Sequence, residues 1–342
     1  MNSVVPELQL LRKLGNGHFG EVFLGLDGVH GEVAVKVVAR KPDDDNAQWL
    51  AVRQGFLAEA QHLSNATHRN VVQVYGIQEL ADSIRFTMEY CPRGSLQAPY
   101  EQGPLTLAQV RKVALDVLIG LGALHGRNML HRDIKPGNIL LDQTGMAKLG
   151  DFGLVTDNLL LGYGSAAGYA DHIALEVWQG RGTSIKSDIW ALGMTLFRLL
   201  HGEAWYVFQN EAPADIVAEG GLANRLRWLP HIPKSWRRVI RKMLADDTNA
   251  RFATSHDVLN AISALPIQPA WTLHTVTDQL VRWELKLPKR LNVVEWTLHS
   301  ARQHEWKAWS QPLGEGRMKT LAQSKGKISR RQVDRDLENY FD

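Results

Sequence analysis

Three short apolar-rich stretches near the start of the chain, residues 8–14, 21–26 and 33–38, read as strands, and this restricts the fold more than any other feature. A period of two sends alternate side chains to opposite faces of a strand. The stretches are separated first by glycines and then by Asp27, Gly28, His30 and Gly31, residues that suit the turns of an antiparallel meander. After a KPDDD turn, Phe56, Ala60 and Leu63 fall at helical spacing within residues 47–66. From Leu105 onward the helical patterns of residues 106–125 and 188–201 dominate. A small β-rich part is thus followed by a larger helical one.

The chain has 342 residues, enough for a two-lobed domain of roughly 250 residues and a smaller part beside it. Acids and bases nearly cancel, and the net charge of +3 lacks the one-signed field of a nucleic-acid protein. Cys91 is the single cysteine, so neither an intramolecular disulfide nor a thiolate zinc cluster can form, and a reducing, cytoplasmic location is expected. The opening MNSVVPELQLLRKLGNG has no basic-then-apolar leader pattern, and the apolar runs at 115–124 and 189–200 are interrupted and short. No membrane association is expected.

Gly15, Gly17 and Gly20 stand in GNGHFGEV between two strands. A spaced glycine triplet is also what an ordinary hairpin turn contains, so its neighbours must decide its meaning. In VAVKVV, Ala34 and Lys36 share one strand face, with Val33, Val35 and Val37 on the other. A lysine on the lining face can reach phosphates under the glycine loop, whereas a lone lysine would read as a solvated edge residue. Glu59, in FLAEAQHL on the following helix, is the candidate ion-pair partner for Lys36; its plain alternative is a solvated helix face. Further on, HRDIKPGNIL supplies His131, Arg132, Asp133, Lys135 and Asn138, and GDFGL supplies Asp151, Phe152 and Gly153. Any one of these aspartates could be a loop carboxylate capping a turn. Together and in this order, over residues 8–264, they resemble the eukaryotic-type (Hanks-type) protein serine/threonine kinase family.

That resemblance implies transfer of the γ-phosphoryl group of ATP, with Mg2+ (Mn2+ as the substitute ion), to hydroxyls of protein substrates. Such transfer has a loose transition state, so the protein's work is alignment and neutralisation of phosphate charge. On the family pattern Asp133 would accept the substrate hydroxyl proton, with Lys135 close to it and to the γ-phosphate. Lys36, positioned by Glu59, would contact the α- and β-phosphates. Asp151 and Asn138 would hold the metal through hard oxygen atoms. Leu14, Gly15, Gly17 and Gly20 would cover the nucleotide. Val22 and Ala34 would lie above the adenine and Leu140 below it, with Met88 as gatekeeper and the backbone of Glu89 and Cys91 bonding the purine edge. Val22, Ala34 and Leu140 also read as plain core residues, and both readings can hold.

By the same resemblance the segment from Asp151 to Glu176 is an activation loop. Arg132 would pair with a phosphate on it, and Ser165 is the best-placed acceptor, ahead of Thr156 and Tyr169. A serine among small residues is otherwise simply loop. The family's Ala-Pro-Glu is Ala174, Leu175 and Glu176 here, and Glu176 is expected to pair with Arg251 of NARFAT. A threonine usual in the segment is replaced by Tyr169, which puts substrate positioning in question more than ATP binding. Asp188 in SDIWALG fits a helix N-cap and an acceptor for catalytic-loop N–H groups.

Near Leu265 the pattern changes to LPIQP, and beyond it tryptophan becomes frequent. Val281, Trp283, Leu285 and Leu287 alternate with Arg282, Glu284 and Lys286, and Val294, Trp296 and Leu298 with Glu295, Thr297 and His299, which predicts two half-buried strands. Ser329, Val333, Leu337 and Phe341 predict a capped terminal helix. Trp271, Trp283, Trp296, Trp306 and Trp309 lie among Arg282, Lys286, Lys289, Arg290 and Arg302, a mixture that can stack single-stranded nucleic acid. A small core docked on the rest, with charges on its wet face, is the simpler reading; it favours a protein-docking role and disfavours nucleic acid.

The expected fold class is α+β: a bilobal protein-kinase fold with a small β-rich N-lobe (1–91), a larger helical C-lobe (92–264) and a small Trp-rich α/β appendage over 265–342. The competing reading is an ATP-binding pseudokinase or scaffold module whose extension binds a protein or nucleic-acid partner. Loss of Lys36, Asp133, Asn138 or Asp151 would mark it, and all four are present.

Overall fold

The computed structural model describes residues 8–17, 20–43, 45–50, 53–54, 67–150, 170–209 and 217–342. The chain divides into two compact units, Met1–Leu96 with Asp116–Ser165, and Gln97–Leu115 with Ala166–Asp342.

In the first unit, β1 (Gln9–Gly17), β2 (Gly20–Asp27), β3 (Gly31–Ala39), β4 (Val74–Glu79) and β5 (Ser83–Glu89) form an antiparallel sheet in the order β1-β2-β3-β5-β4. The expected meander is its first three strands. Asp27 builds the β2–β3 turn, its Oδ1 accepting from the N–H groups of Val29 (2.9 Å) and His30 (2.8 Å). A Cβ at Gly20 would lie 2.1 Å from the Val37 carbonyl oxygen, so only glycine lets β2 begin against β3 there. Val38, Trp49, Ile84 and Phe86 pack together on the buried side. Trp49 belongs to a helical stretch opened by Asp45, whose Oδ1 accepts from Gln48 N–H at 2.7 Å while Gln48 Oε1 accepts from Asp45 N–H at 2.9 Å. Phe56, Glu59, Ala60 and Leu63 lie outside the described residues.

The unit is completed by the hairpin of β6 (Ile139–Leu141) and β7 (Ala147–Leu149), turned by Asp142, which accepts from Thr144 and Met146 N–H at 2.8 and 2.9 Å. Backbone bonds from Leu96 N–H to Ile139 O (2.9 Å) and from Leu141 N–H to Gly94 O (2.8 Å) tie this hairpin to the chain just after β5.

The second unit contains α1 (Gln97–Gln102), the first half of α2 (Leu107–His125), α3 (Leu175–Trp178), α4 (Ile185–Gln209), α5 (Leu222–Arg225), α6 (Lys234–Met243) and α7 (Ser255–Ser263). Ile189, Trp190, Leu192, Met194, Leu196, Phe197 and Leu199 make α4 its buried axis. The helical pattern predicted to stop at His201 continues to Gln209 across a kink at Gly202, whose φ of 70° only glycine adopts without strain. Asp188 lies in the first turn rather than at the cap; Ser184 caps α4, its Oγ accepting from Lys186 and Ser187 N–H at 3.2 and 3.4 Å.

After α7, β8 (Thr272–Val276), β9 (Leu280–Lys286), β10 (Arg290–Ser300), β11 (Gln303–Pro312) and β12 (Lys319–Gln323) form a second antiparallel sheet in the order β12-β11-β10-β9-β8, followed by α8 (Arg330–Phe341). The two predicted strands are β9 and β10. The third long strand, β11, was hidden because its inward positions carry His304 and Ser310 as well as Trp306 and Ala308. Ser329 caps α8 as expected, accepting from Gln332 N–H at 3.3 Å, and Val333 and Leu337 are buried.

Within this unit Trp283, Trp296 and Trp306 of the second sheet are core residues, whereas Trp309 is half-buried beneath Arg282 and Lys307. Trp283 and Trp296 are fully buried; Trp283 Nε1–H donates to His231 Nδ1 at 2.9 Å, and Trp296 meets Trp205 of α4 with ring centroids 6.1 Å apart. Phe341 packs on Trp271 and Trp283, at 5.1 and 5.3 Å between centroids. The Arg330 guanidinium lies 4.4 Å from the centre of Trp296. Buried faces of this kind are not available for stacking bases. Among the described residues no helix is long and apolar enough to cross a membrane.

Candidate active site

Strand register assembles the first part of the site. Val22 stands opposite Lys36, Ala34 opposite Met88, and Lys36 opposite Phe86, so Val22, Ala34, Lys36 and Met88 share one face of the first sheet. Gly15 pairs with Val22 and Gly17 with Gly20, which makes the glycine segment the tip of the β1–β2 hairpin, with Leu14 at the register shift just before Gly15. A Cβ on Gly15 would meet nothing within 4 Å. Lys36 is only 1% exposed, and a buried ammonium requires charged or polar company.

The segment 131–138 supplies the second part. His131 is fully buried, and its Nδ1 accepts from Asp133 N–H at 3.3 Å. Arg132, between them, has φ 69°, a left-handed conformation costing a non-glycine residue about 1–3 kcal/mol and kept where surrounding contacts enforce it. The strain turns the chain so that the next side chains converge. Asn138 Nδ2 donates to both the Asp133 carbonyl oxygen (2.8 Å) and Asp133 Oδ2 (2.7 Å), and Lys135 Nζ lies 2.8 Å from the same Oδ2. Burial pushes the Asp133 carboxyl up, but the Lys135 charge and hydrogen bond, with smaller help from His131 and Asn138, hold it below the ordinary 3.8. It is therefore ionised at neutral pH. Because both Asn138 amide hydrogens face Asp133, its amide oxygen is not engaged by them and has the chemistry to meet a hard cation. Gly150 N–H donates to the Asn138 carbonyl at 2.9 Å, so the residue before Asp151 is fastened to Asn138. Asp151, Glu59 and Ser165 themselves, with Phe152, Gly153, Thr156 and Tyr169, lie outside the described residues.

The segment 88–91 forms the third part. Glu89 N–H donates to Gln73 O at 2.8 Å, and its carboxylate is 2.8 Å from Lys148 Nζ in β7, so its side chain is committed to the scaffold. Sequence reading missed Lys148, although a charged residue inside the apolar strand AKL needs a partner. Cys91 is buried, and burial followed by the nearby Glu89 charge pushes its thiol up to about 12, which makes it an inert protonated group. Leu140 lies in β6, bridged to Ser95 a few residues after Cys91.

In the second unit, the expected pair forms: Arg251 Nη1 and Nη2 reach Glu176 Oε1 and Oε2 at 2.6 and 2.7 Å, both residues being buried. Arg251 also donates to the Ala245 and Lys186 carbonyls at 2.6 and 3.0 Å. A second buried cluster was not anticipated: Asp171 takes two 2.8 Å bonds from Arg198 Nη2 and one from the Tyr206 hydroxyl. Burial and then the Asp171 charge raise the Tyr206 phenol far above its usual value. Its members come from positions 171, 198 and 206, and no local pattern links them.

The donor set suits a magnesium–nucleotide complex: a buried lysine on an apolar sheet face, an amide oxygen beside an ionised aspartate, and a loop with open space above a glycine. Residues 8–261 match the protein kinase domain family. Among curated relatives, the serine/threonine-protein kinase PrkC of Bacillus subtilis is 31% identical over 258 residues, 73% of this chain and 39% of that protein. A probable serine/threonine-protein kinase of Dictyostelium discoideum is 36% identical over 59% of this chain and 40% of its own length. The mitogen-activated protein kinase kinase kinase YODA of Arabidopsis thaliana is 32% identical over 68% of this chain and 26% of its own length. The chain thus spans two fifths or less of the length of these relatives. With its β-rich amino-terminal sheet, the helices that follow it and motifs in the family's order, the chain belongs to the protein kinase domain family.

Proposed function

We propose that this protein is a serine/threonine kinase that phosphorylates hydroxyls of protein substrates, working in the cytoplasm with ATP and Mg2+ or Mn2+. The observation that carries this reading is the Asp133 carboxylate, kept ionised beside Lys135 and oriented by Asn138. When bound, the metal–nucleotide supplies the activated phosphoryl group and shields its charge. The chain does the rest. Lys36 binds the α- and β-phosphates, and Glu59 holds Lys36. Asn138 and Asp151 hold the cation, and Leu14, Gly15, Gly17 and Gly20 cover the phosphates. Val22, Ala34, Met88 and Leu140 line the adenine, whose edge bonds the Glu89 and Cys91 backbone. Asp133 aligns the substrate hydroxyl and takes its proton, while Lys135 stabilises charge between that oxygen and the phosphoryl group.

The fold is read as bilobal, with residues 1–264 forming the kinase domain and 265–342 a Trp-rich α/β appendage that serves intramolecular packing or docks a protein partner. Ser165 is read as an autophosphorylation site paired with Arg132. Asp133→Asn tests the central assignment: nucleotide binding by calorimetry stays near wild type while transfer of labelled phosphate to protein falls roughly a hundredfold or more. Equal turnover would remove Asp133 from the mechanism. Mass spectrometry of the same variant, beside wild type, tests Ser165.

A further inference from the structure

Inside the second unit, a cavity of about 1020 Å³ opens where residues 227–241 meet the second sheet and α8. Its wall carries five arginines, Arg227, Arg237, Arg241, Arg330 and Arg331, against three carboxylates, Asp278, Asp334 and Glu338. Two of the arginines are neutralised: Arg237 pairs with Glu338, and Arg330 Nε is 3.0 Å from Asp334 Oδ1. Arg241 and Arg331 are exposed and form no ion pair or hydrogen bond among the described residues. Arg241 lies 5.6 Å from the ring centre of Trp228, which lines the same wall.

A concave site with surplus guanidinium forks is suited to an anion with several acceptor oxygens. Planar guanidinium groups match phosphate oxygens two at a time. The volume reaches the upper end of small-molecule sites, about 300–1000 Å³, enough for a nucleotide-sized ligand. Asp278, Asp334 and Glu338 interrupt the basic wall, which argues against a track for nucleic-acid backbone. Partial burial and then the Arg237 charge lower the Arg241 pKa, and the Glu338 charge opposes them. None of these residues is among those read as holding ATP or moving its phosphate.

We infer that this cavity is a second ligand site, built for a soluble small molecule bearing two or more phosphate groups and held by Arg241 and Arg331.

The test uses the full chain with its ATP site saturated by a non-hydrolysable ATP analogue and Mg2+, titrated calorimetrically with pyrophosphate and with tripolyphosphate. The expected result is one additional site per chain, with its Kd raised at least about tenfold in the Arg241→Gln/Arg331→Gln double variant. Melting temperature and analogue affinity should stay at wild-type values, since both side chains are exposed and unpaired. Arg238→Gln, an exposed arginine outside the cavity wall, should leave the Kd unchanged. The inference is overturned if neither anion binds at about 1 mM, or if Arg238→Gln weakens binding as much as the double variant does. Retention by vesicles carrying phosphorylated inositol headgroups, or by a phosphopeptide, without binding of the soluble anions would equally overturn it.

Discussion

Acidification should destabilise this protein well above the pH at which its carboxylates protonate, because two buried histidines must stay neutral to do their structural work. His201 Nδ1–H donates to Phe197 O at 2.6 Å while its Nε2 accepts from Leu229 N–H at 3.1 Å. His231 Nδ1 accepts from the Trp283 indole at 2.9 Å. A proton on either accepting nitrogen would face another N–H. Burial accordingly lowers both groups from 6.5 to about 3. The unfolded chain therefore binds more protons than the folded one between pH 6.5 and about 3, so stability is complete above the upper value and is lost as pH falls through that window. At about 1.4 kcal/mol per unit, moving from pH 7 to pH 5 costs about 2 kcal/mol for each histidine and about 4 for both. That is a large part of a typical total of roughly 5–15 kcal/mol. His304, which accepts from the Trp296 indole at 3.2 Å and is also lowered, adds in the same direction. Urea unfolding followed by tryptophan fluorescence at the two pH values measures the loss. His231→Asn keeps an acceptor for Trp283 without titrating, and should remove about half of the pH dependence whatever it does to stability at pH 7. Equal unfolding midpoints for wild type at both values, or an undiminished slope in His231→Asn, would refute the reasoning.

Arg251→Met should cost about 3–5 kcal/mol, since it leaves the buried Glu176 carboxylate without its bidentate partner; denaturant melts check it, and Glu176→Gln should be milder. Gly20→Ala forces a Cβ to within 2.1 Å of the Val37 carbonyl, so the β2–β3 edge must separate, and ATP affinity measured by calorimetry should fall at least about tenfold. Lys148→Met should raise the KM for ATP several-fold with a smaller change in kcat, because it releases the Glu89 side chain beside the residues read as holding the purine. If kcat falls and KM does not, Lys148 acts elsewhere.

What could be read from sequence follows from how far apart the cooperating residues stand. The residues His131 to Asn138 carry their meaning within eight positions, and the structure closes them through bonds of 2.7 to 3.3 Å among neighbours in the chain. The shared face of Ala34 and Lys36 follows from strand period alone, and register then adds Val22 and Met88. The Glu176–Arg251 pair, though distant, came through family resemblance. The Glu89–Lys148 and Asp171–Arg198–Tyr206 groups are different. Their partners are separated by dozens of positions, and neither charge nor period announces the pairing. Among the strands of the second sheet, β9 and β10 alternate cleanly, whereas β8 and β12 are short edge strands without a buried face. Asp188 was misread as a cap because aspartate is common there, yet Ser184 stands four residues earlier and takes that place.

The family match ends at residue 261, but the hydrogen bonds do not. Trp236 of α6 donates its indole N–H to Pro266 O at 2.7 Å, Arg111 of α2 reaches Leu265 O at 2.8 Å, and Arg237 meets Glu338 of α8 while its other bonds go to the carbonyls of Leu229, Pro230 and Ile232. Residues up to 264 on their own would therefore lack part of their hydrogen bonding. Without the residues beyond 264, one buried indole loses its acceptor, one buried guanidinium its anion and His231 its aromatic cover. The tail and the helical part thus share one compact unit and should melt together as one object.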